Sequence, residues 1–203
     1  DGERLAMDAG RATALIALVG CDGVRLAGLH VHNGLLNGIG LSRCSGTISD
    51  CTVHGLSDAG LLSLDAQGLE IAHNHVFDCA NNGIQIWRSS PGRDGTLVTG
   101  NRIERIAAKS GGTGQNGNGI NVFRAGDVLV ANNRVTECAY TAIRGNAAGN
   151  IQMVGNSCAH AGEVALYAEF AFEAALIANN VVQHPASGIS VTNFNEGGRP
   201  AVV

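Results

Sequence analysis

The chain has 203 residues, of which 45% are hydrophobic and 15% charged, and this composition predicts one globular domain with a sizeable core rather than a disordered chain. A net charge of −4, with 12 Arg and one Lys scattered singly, argues against nucleic acid as a partner. The longest apolar run, residues 12–20, is shorter than the ~18 residues that suggest a membrane span.

The Ile of a Gly-Ile pair, or an apolar residue in the equivalent position, recurs at a fixed spacing. These residues are Ile16, Ile39, Leu61, Ile84, Ile120, Ile143, Leu166 and Ile189. Six of the seven intervals are 22 or 23 residues long, and the seventh is 36. Such a regular period indicates a repeat architecture.

Each repeat is predicted to contain three short strands joined by tight turns. In one repeat, an alternating strand at 69–71 leads to a turn at Asn74, a strand around Val76 and a strand at 83–86. One coil cannot bury its own apolar face, but coils stacked roughly 4.8 Å apart form three parallel sheets around a shared core. Helices are not expected, because Gly and Asn interrupt any 3.6-residue pattern.

Asn recurs at the turn before one strand of the repeat, at Asn74, Asn101, Asn133, Asn156 and Asn180. This residue tolerates left-handed backbone angles, and its amide both donates and accepts hydrogen bonds. Equivalent Asn side chains on successive coils are therefore predicted to form a hydrogen-bonded ladder along the axis.

At these residues the sequence resembles the right-handed parallel β-helix repeat proteins of the pectate-lyase-like type. The motif apolar-x-apolar-x-x-Asn-x-Val, followed by Gly-Ile-x-Ile, covers essentially the whole chain. The resemblance implies an all-β, right-handed, single-stranded parallel β-helix of about eight coils, and the crossover rule for parallel strands agrees with that hand. We expect residues 1–203 to be a single domain and a fragment of a longer chain.

A narrower resemblance rests on the short repeats, the Arg content and the Asn-Asn pairs. In these features the sequence is similar to an uncharacterised bacterial repeat family that carries twin-arginine export signals. That resemblance implies export to the periplasm or the extracellular space, and it implies no assigned chemistry.

The long interval contains two insertions, at residues 89–94 and 107–116. Both border the same predicted sheet, so we expect two loops that form the walls of one cleft. The β-helix resemblance implies that a substrate cleft lies on this sheet between such loops. The alternative is that loops simply tolerate insertions.

The outward side chains of this sheet follow from the alternation of side chains along a strand. The predicted substrate-binding residues in and beside two outward rows are Gln85, Trp87, Arg88, Asn121, Phe123, Arg124, Asn146 and Glu169. Aromatic rings stack on sugar rings, whereas amides and Arg bind hydroxyls and carboxylates. The alternative is an ordinary exposed strand face, because aromatic residues favour strands in any case.

The chemistry predicted for this face depends on its charged residues. It carries one carboxylate, Glu169, which disfavours glycoside hydrolysis because that reaction uses two. Arg144 is expected to hold a uronate carboxylate and to lower the pKa of the neighbouring Tyr167 phenol, with Lys109 as a second candidate base. We therefore predict binding of an acidic polysaccharide with lyase- or epimerase-like proton abstraction, and the alternative is a non-catalytic glycan-binding or structural module.

Histidines and cysteines add little to this interpretation. His32 and His54 share one outward column, and His30 and His75 share another. Two imidazoles could reach one Zn²⁺ or Cu²⁺, but a structural site needs further ligands, so the favoured interpretation is solvated, stacked histidines. We predict no metal site and no cofactor. Cys21 and Cys44 occupy equivalent positions and could be a disulfide or two free thiols.

Overall fold

The structure is a computed structural model that describes residues 14–112, 114–193 and 199–203. These residues wind into a parallel β-solenoid of about eight coils, as the period predicts, and its strands form three parallel sheets. Within the described ranges there is no helix long and apolar enough to cross a membrane.

Each sheet takes at most one strand from each coil, so that the described residues give eight strands in sheets A and B and seven in sheet C. Sheet A consists of β1 (Ala14–Val19), β4 (Asn37–Ser42), β7 (Ala59–Leu64), β10 (Asn82–Arg93), β13 (Asn118–Gly126), β16 (Ile143–Asn146), β19 (Val164–Glu169) and β22 (Ser187–Thr192). Sheet B consists of β2 (Val24–Ala27), β5 (Gly46–Ser49), β8 (Leu69–Ala72), β11 (Leu97–Thr99), β14 (Leu129–Ala131), β17 (Ile151–Val154), β20 (Ala175–Ala178) and β23 (Ala201–Val202). Sheet C consists of β3 (His30–His32), β6 (Thr52–Leu56), β9 (His75–Cys79), β12 (Arg102–Ile106), β15 (Arg134–Cys138), β18 (Ser157–Ala161) and β21 (Val181–Gln183).

The register of sheet A confirms the period. All eight apolar markers, from Ile16 to Ile189, pair in one continuous row. From Ile39 to Leu166 these side chains are almost fully buried and form one column of the core. The Gly that precedes a marker leaves room for the next coil to pack closely. At Gly60, for example, a Cβ would lie 2.9 Å from the carbonyl oxygen of Gly83 on the next coil.

The predicted Asn ladder is confirmed. Asn74, Asn101, Asn133 and Asn156 each donate from the backbone N and from Nδ2 to Oδ1 of the next ladder Asn, over distances of 2.9–3.0 Å. Cys51 continues the column, since its backbone N donates to Asn74 Oδ1 at 3.0 Å. Sheet A contains a further asparagine pair that was not predicted from the sequence. In this pair the backbone N and Nδ2 of Asn118 both donate to Asn82 Oδ1.

The insertion at residues 89–94 differs from the loop expected from the sequence. Strand β10 continues through it to Arg93, and its register with β13 is irregular between Trp87 and Gly92. The added residues are thus taken up as a bulged strand extension, because their backbone still pairs within sheet A.

All six cysteines lie among the described residues, and all are free thiols. The backbone N of Cys21 donates to Cys44 Sγ at 3.4 Å, so of the two alternatives for this pair the structure has the free thiols.

Candidate functional site on sheet A

The second insertion, residues 107–116, folds back across the outer face of sheet A. Thr113 lies outside the described residues. Ser110 N donates to Asn81 Oδ1 at 2.9 Å, and Asn121 Nδ2 donates to Gln115 O at 3.1 Å. Side chains of the sheet thus satisfy the polar groups of the loop, which lets an irregular segment pack against it.

This loop buries the first outward row of the sheet. Gln85, Asn121 and Arg144 point away from the core as predicted, yet only 4–7% of their surface is exposed. In the second row, Trp87, Phe123 and Asn146 are partly exposed. The solvent-accessible part of this face therefore begins at the second row, beyond the edge of the loop.

A cavity of about 410 Å³ opens at this point, and we call it the sheet A cavity. Its lining residues are Trp87, Gln115, Asn121, Phe123, Arg144, Asn146, Glu163, Tyr167, Glu169 and Phe170. The volume falls within the range of ordinary small-molecule sites.

The floor of the cavity is held by a buried ion pair between Arg144 on β16 and Glu169 on β19. Arg144 Nε donates to Glu169 Oε1 at 2.6 Å, and Nη2 donates to the same oxygen. Asn146 Nδ2 donates to it as well, at 2.8 Å, and Arg144 Nη1 donates to Gly114 O in the loop. The guanidinium therefore joins two coils of the sheet to the inserted loop.

Tyr167 contacts this pair, with its ring centroid 5.8 Å from Arg144 Cζ. Burial raises the pKa of the phenol, the hydrogen bond from Thr192 lowers it by less, and the Glu169 carboxylate raises it again. The expectation that Arg144 lowers this pKa was wrong. Because its pKa is raised above the ordinary value, the phenol is protonated at neutral pH.

Two aromatic rings form another part of the cavity wall. Trp87 on β10 and Phe123 on β13 pack edge to face, with centroids 6.0 Å apart and an interplanar angle of 67°. Their register pairing places them on adjacent coils. Rings held in this way present apolar faces beside the amides of Asn121 and Asn146.

Comparison with known proteins agrees with this architecture. The family model described as right handed beta helix region matches residues 9–103, and the same three-sheet coil continues beyond that match. The described residues thus form a right-handed parallel β-helix, and the family model covers just under half of the chain. No curated protein sequence matches it.

Solved structures similar to this β-helix include the enzymatically active domain of bacteriophage CBA120 tailspike protein 2, with a TM-score of 0.55 and 14% identity over 93% of this chain and 36% of that chain. Pectate lyase Pel9A has a TM-score of 0.51 and 11% identity over 84% of this chain and 54% of its own. A periplasmic alginate epimerase has a TM-score of 0.47 and 14% identity over 82% and 48%. This chain thus spans about a third to a half of their lengths, and the likeness extends to the fold alone.

Four predicted site residues of the β-helix lie outside the sheet A cavity. Gln85 lines a neighbouring cavity of about 370 Å³, in which Trp87 also takes part. Arg88 turns back to donate to Ala66 O at 3.1 Å. Arg124 stacks on Phe123 at 4.6 Å and lines a separate cavity beside Arg93.

Lys109 is the fourth of these residues. It is exposed and lines yet another cavity, beside Asp78 and Arg105 on the sheet C side of the loop. The structure does not bring it to Arg144 and Tyr167. The bulged extension 89–93 also lies away from the sheet A cavity, since its residues Pro91, Gly92 and Arg93 line the cavity of Arg124. The two insertions therefore do not form two walls of one cleft.

Sequence reasoning missed Glu163 and Phe170, which flank the strands and do not lie in either outward row, whereas Gln115 belongs to the predicted loop 107–116. Glu163 precedes β19 and accepts a hydrogen bond from Thr141 Oγ1 at 2.9 Å. A second carboxylate therefore lines the cavity in addition to Glu169 of the outward rows. Extending the outward rows into the turns before each strand of sheet A would have found Glu163.

No group of three or more His, Cys, Asp or Glu side chains among the described residues is arranged to hold a metal ion. Of the two carboxylates in the cavity, Glu169 Oε1 accepts hydrogen bonds from three donor nitrogens, and Glu163 Oε2 accepts one from Thr141 Oγ1.

Proposed function

We propose that the sheet A cavity binds a segment of a polysaccharide. The observation that carries the proposal is the edge-to-face pair of Trp87 and Phe123 beside the amides of Asn121 and Asn146, in a cavity of about 410 Å³. Aromatic faces pack against the apolar faces of sugar rings, and amides both donate to and accept from hydroxyls. Export to the periplasm or the extracellular space, where such polymers occur, is part of this proposal.

The charge of the lining bears on which sugar is bound. One guanidinium faces two carboxylates, Glu163 and Glu169, and Glu169 is already paired with Arg144. A uronate must compete with Glu169 for Arg144, whereas an uncharged sugar needs only the aromatic rings and amides. The balance of charge therefore supports an uncharged sugar at the Trp87 and Phe123 rings.

Trp87→Ala is expected to weaken glycan binding at least tenfold, because loss of about 1.4 kcal/mol of stacking and buried area corresponds to one order of magnitude. A glycan array with neutral and acidic polymers identifies the ligand, and calorimetric titration gives the affinities. Phe77→Ala is the matched control, since Phe77 lies on the outer face of sheet C. Absence of binding to any glycan, or equal affinity in Trp87→Ala, would reject the proposal.

A second candidate function is lyase- or epimerase-like chemistry on an acidic polysaccharide. It is favoured by the proximity of the Arg144 guanidinium to the Tyr167 phenol, which both line the cavity. Because the raised pKa keeps Tyr167 protonated, the phenol is suited to donate a proton to a leaving oxygen, and Glu163 is the neighbouring group suited to accept one.

For this candidate, Tyr167→Phe is expected to lower turnover at least about 100-fold, the usual minimum contribution of a general acid. Absorbance near the unsaturated-uronate band and proton NMR of the sugars on alginate, pectate and glycosaminoglycans measure elimination and epimerisation. Tyr140→Phe is the control, because Tyr140 Oη points to Gly112 O in the loop. Binding without turnover would favour the non-catalytic module, and full activity in Tyr167→Phe would remove Tyr167 from the reaction.

A further inference from the structure

Aromatic side chains line the sheet A cavity at two ends. Trp87 and Phe123 lie at one end, and the register of sheet A continues their row through Asn146 to Glu169. Phe170 follows Glu169 directly, at the other end of the cavity. Three coil steps of about 4.8 Å separate Trp87 from Glu169, so the two ends lie about 14 Å apart along the solenoid axis.

Phe170 has an unusual backbone conformation. Its φ is 47° and that of Ala171 is 42°, and no other adjacent pair of non-glycine residues in the described ranges has positive φ. Among the described Phe, Tyr and Trp residues, only Phe170 lies in this left-handed region. The region is sterically costly for a bulky L-residue. Phe170 is therefore held in a conformation that its own side chain disfavours.

The shape of the coil accounts for the positive φ but not for the aromatic ring. The residue that follows the second outward row of sheet A has positive φ on six coils, at Gly20, Arg43, Asp65, Arg124, Ala147 and Phe170. The turn therefore forms with Gly, Arg, Asp or Ala at this position. Because the turn does not need Phe, the ring of Phe170 calls for an explanation other than folding.

Neighbouring coils fix the conformation through three hydrogen bonds. Phe170 N donates to Thr192 O at 3.0 Å, and Phe170 O accepts from Ala147 N at 2.9 Å. Ala171 N donates to Asn193 Oδ1 at 2.9 Å. A strained residue persists only where its surroundings over-determine its conformation, and such residues cluster at ligand sites. The turn at Phe170 has both properties, because it is held from both sides and borders the cavity.

The conformation also determines where the ring points. Glu169 lies in an outward row, so simple alternation would direct the next side chain into the core. Phe170 is instead partly exposed and lines the cavity. The core near this turn is filled by Phe172, of which only 2% is exposed. The left-handed turn thus places an aromatic ring on the outer face of sheet A.

We propose that Phe170 is a second sugar-stacking residue, so that the cavity binds a segment of at least two linked sugar units with an aromatic contact at each end. This inference rests on the polysaccharide binding proposed for the cavity. A single pyranose ring is shorter than the span of about 14 Å between the two ends, so it contacts only one of them. A linked segment contacts both, and the contacts at the two ends together select an oligosaccharide over a monosaccharide.

The binding test is a glycan array that carries neutral and acidic glycans from monosaccharides to hexasaccharides. Wild type is expected to bind oligosaccharides at least tenfold more tightly than the corresponding monosaccharides, and Phe170→Ala to weaken oligosaccharide binding at least tenfold. Equal affinity for monosaccharides, or undiminished binding in Phe170→Ala while Trp87→Ala loses it, would overturn this inference and leave polysaccharide binding intact. Absence of binding to any glycan would reject both proposals.

A second test measures the backbone strain without any glycan. Phe170→Gly and Phe170→Ala both remove the ring, so we expect the same loss of glycan binding in both variants. Gly adopts positive φ at no steric cost, so Phe170→Gly is expected to unfold at a higher urea concentration than Phe170→Ala. The reverse order, which is usual at ordinary φ, would show that the turn is not strained and would overturn the argument.

Ala147→Gly is the matched control for the turn. Ala147 has φ 52° at the equivalent position on the preceding coil, and it lines the cavity of Arg124 and not the sheet A cavity. We expect this variant to unfold at a higher urea concentration than wild type and to bind glycans with unchanged affinity. Weakened glycan binding in Ala147→Gly would show that the turns affect the cavity through the backbone, and the role assigned to the Phe170 ring would be wrong.

Discussion

Replacing Arg144 with Met is expected to lower the free energy of unfolding by about 3–5 kcal/mol, because it leaves the Glu169 carboxylate buried without its partner. Only 2% of the surface of Glu169 is exposed, so the carboxylate has little contact with solvent. The variant also removes the bond to Gly114 O that holds the loop over sheet A. Urea denaturation followed by circular dichroism measures the loss.

The double variant Arg144→Met, Glu169→Leu is the control for this result. Exchange of a buried ion pair for apolar side chains of similar volume is often nearly neutral, so the double variant should regain at least half of the lost stability. A double-mutant cycle with Glu169→Leu alone isolates the coupling energy. If the two single losses simply add, the ion pair does not stabilise this region and the interpretation of the cavity floor is wrong.

Asn133→Ala is expected to lower the free energy of unfolding by about 2–6 kcal/mol. It leaves two buried backbone groups without a hydrogen-bond partner, at about 1–3 kcal/mol each. One is the N–H of Asn101, which donates to Asn133 Oδ1, and the other is the carbonyl of Val98, which accepts from Asn133 Nδ2 at 2.8 Å. Asn133 lies in the middle of the ladder, where both neighbouring coils cover it. The unfolding midpoint in urea measures the effect.

Asn180→Ala gives the comparison at the last rung of the same ladder. Asn180 accepts from Asn156 in the same way, but it is only partly buried, so water can satisfy the groups that its removal exposes. We expect a smaller loss than for Asn133→Ala. Equal losses at the two positions would show that the ladder does not stabilise the solenoid through buried hydrogen bonds.

The fold was predictable because it repeats. The spacing from Ile39 to Leu166 places one apolar residue on each coil, and each of these residues pairs with the next one in sheet A. Asn101 sits at an irregular offset from its marker, yet it joins the ladder. A solenoid coil contacts only its two neighbours, so the local pattern carries nearly all the information needed to stack it.

The site was predictable only in part. Alternation along the strands correctly places Trp87, Phe123, Arg144 and Tyr167 on one face, since that follows from the register alone. It does not predict that Glu169 pairs with Arg144, nor that burial, together with Glu169, raises the pKa of Tyr167 instead of lowering it. The partner of a long side chain depends on rotamers and on burial, and neither repeats with the coil.

The amino-acid sequence by itself determined the coil, its register, the Asn ladder and the two outward rows of sheet A, because a fixed period and a fixed alternation decide each of them. Only the tertiary structure decided where the insertions go. Residues 89–93 extend β10, whereas Gly114 of the second insertion accepts a hydrogen bond from Arg144 and Lys109 of the same insertion lies on another face. The path of an inserted segment depends on which polar groups of the sheet it can satisfy, and those groups lie on different coils, far apart in the sequence.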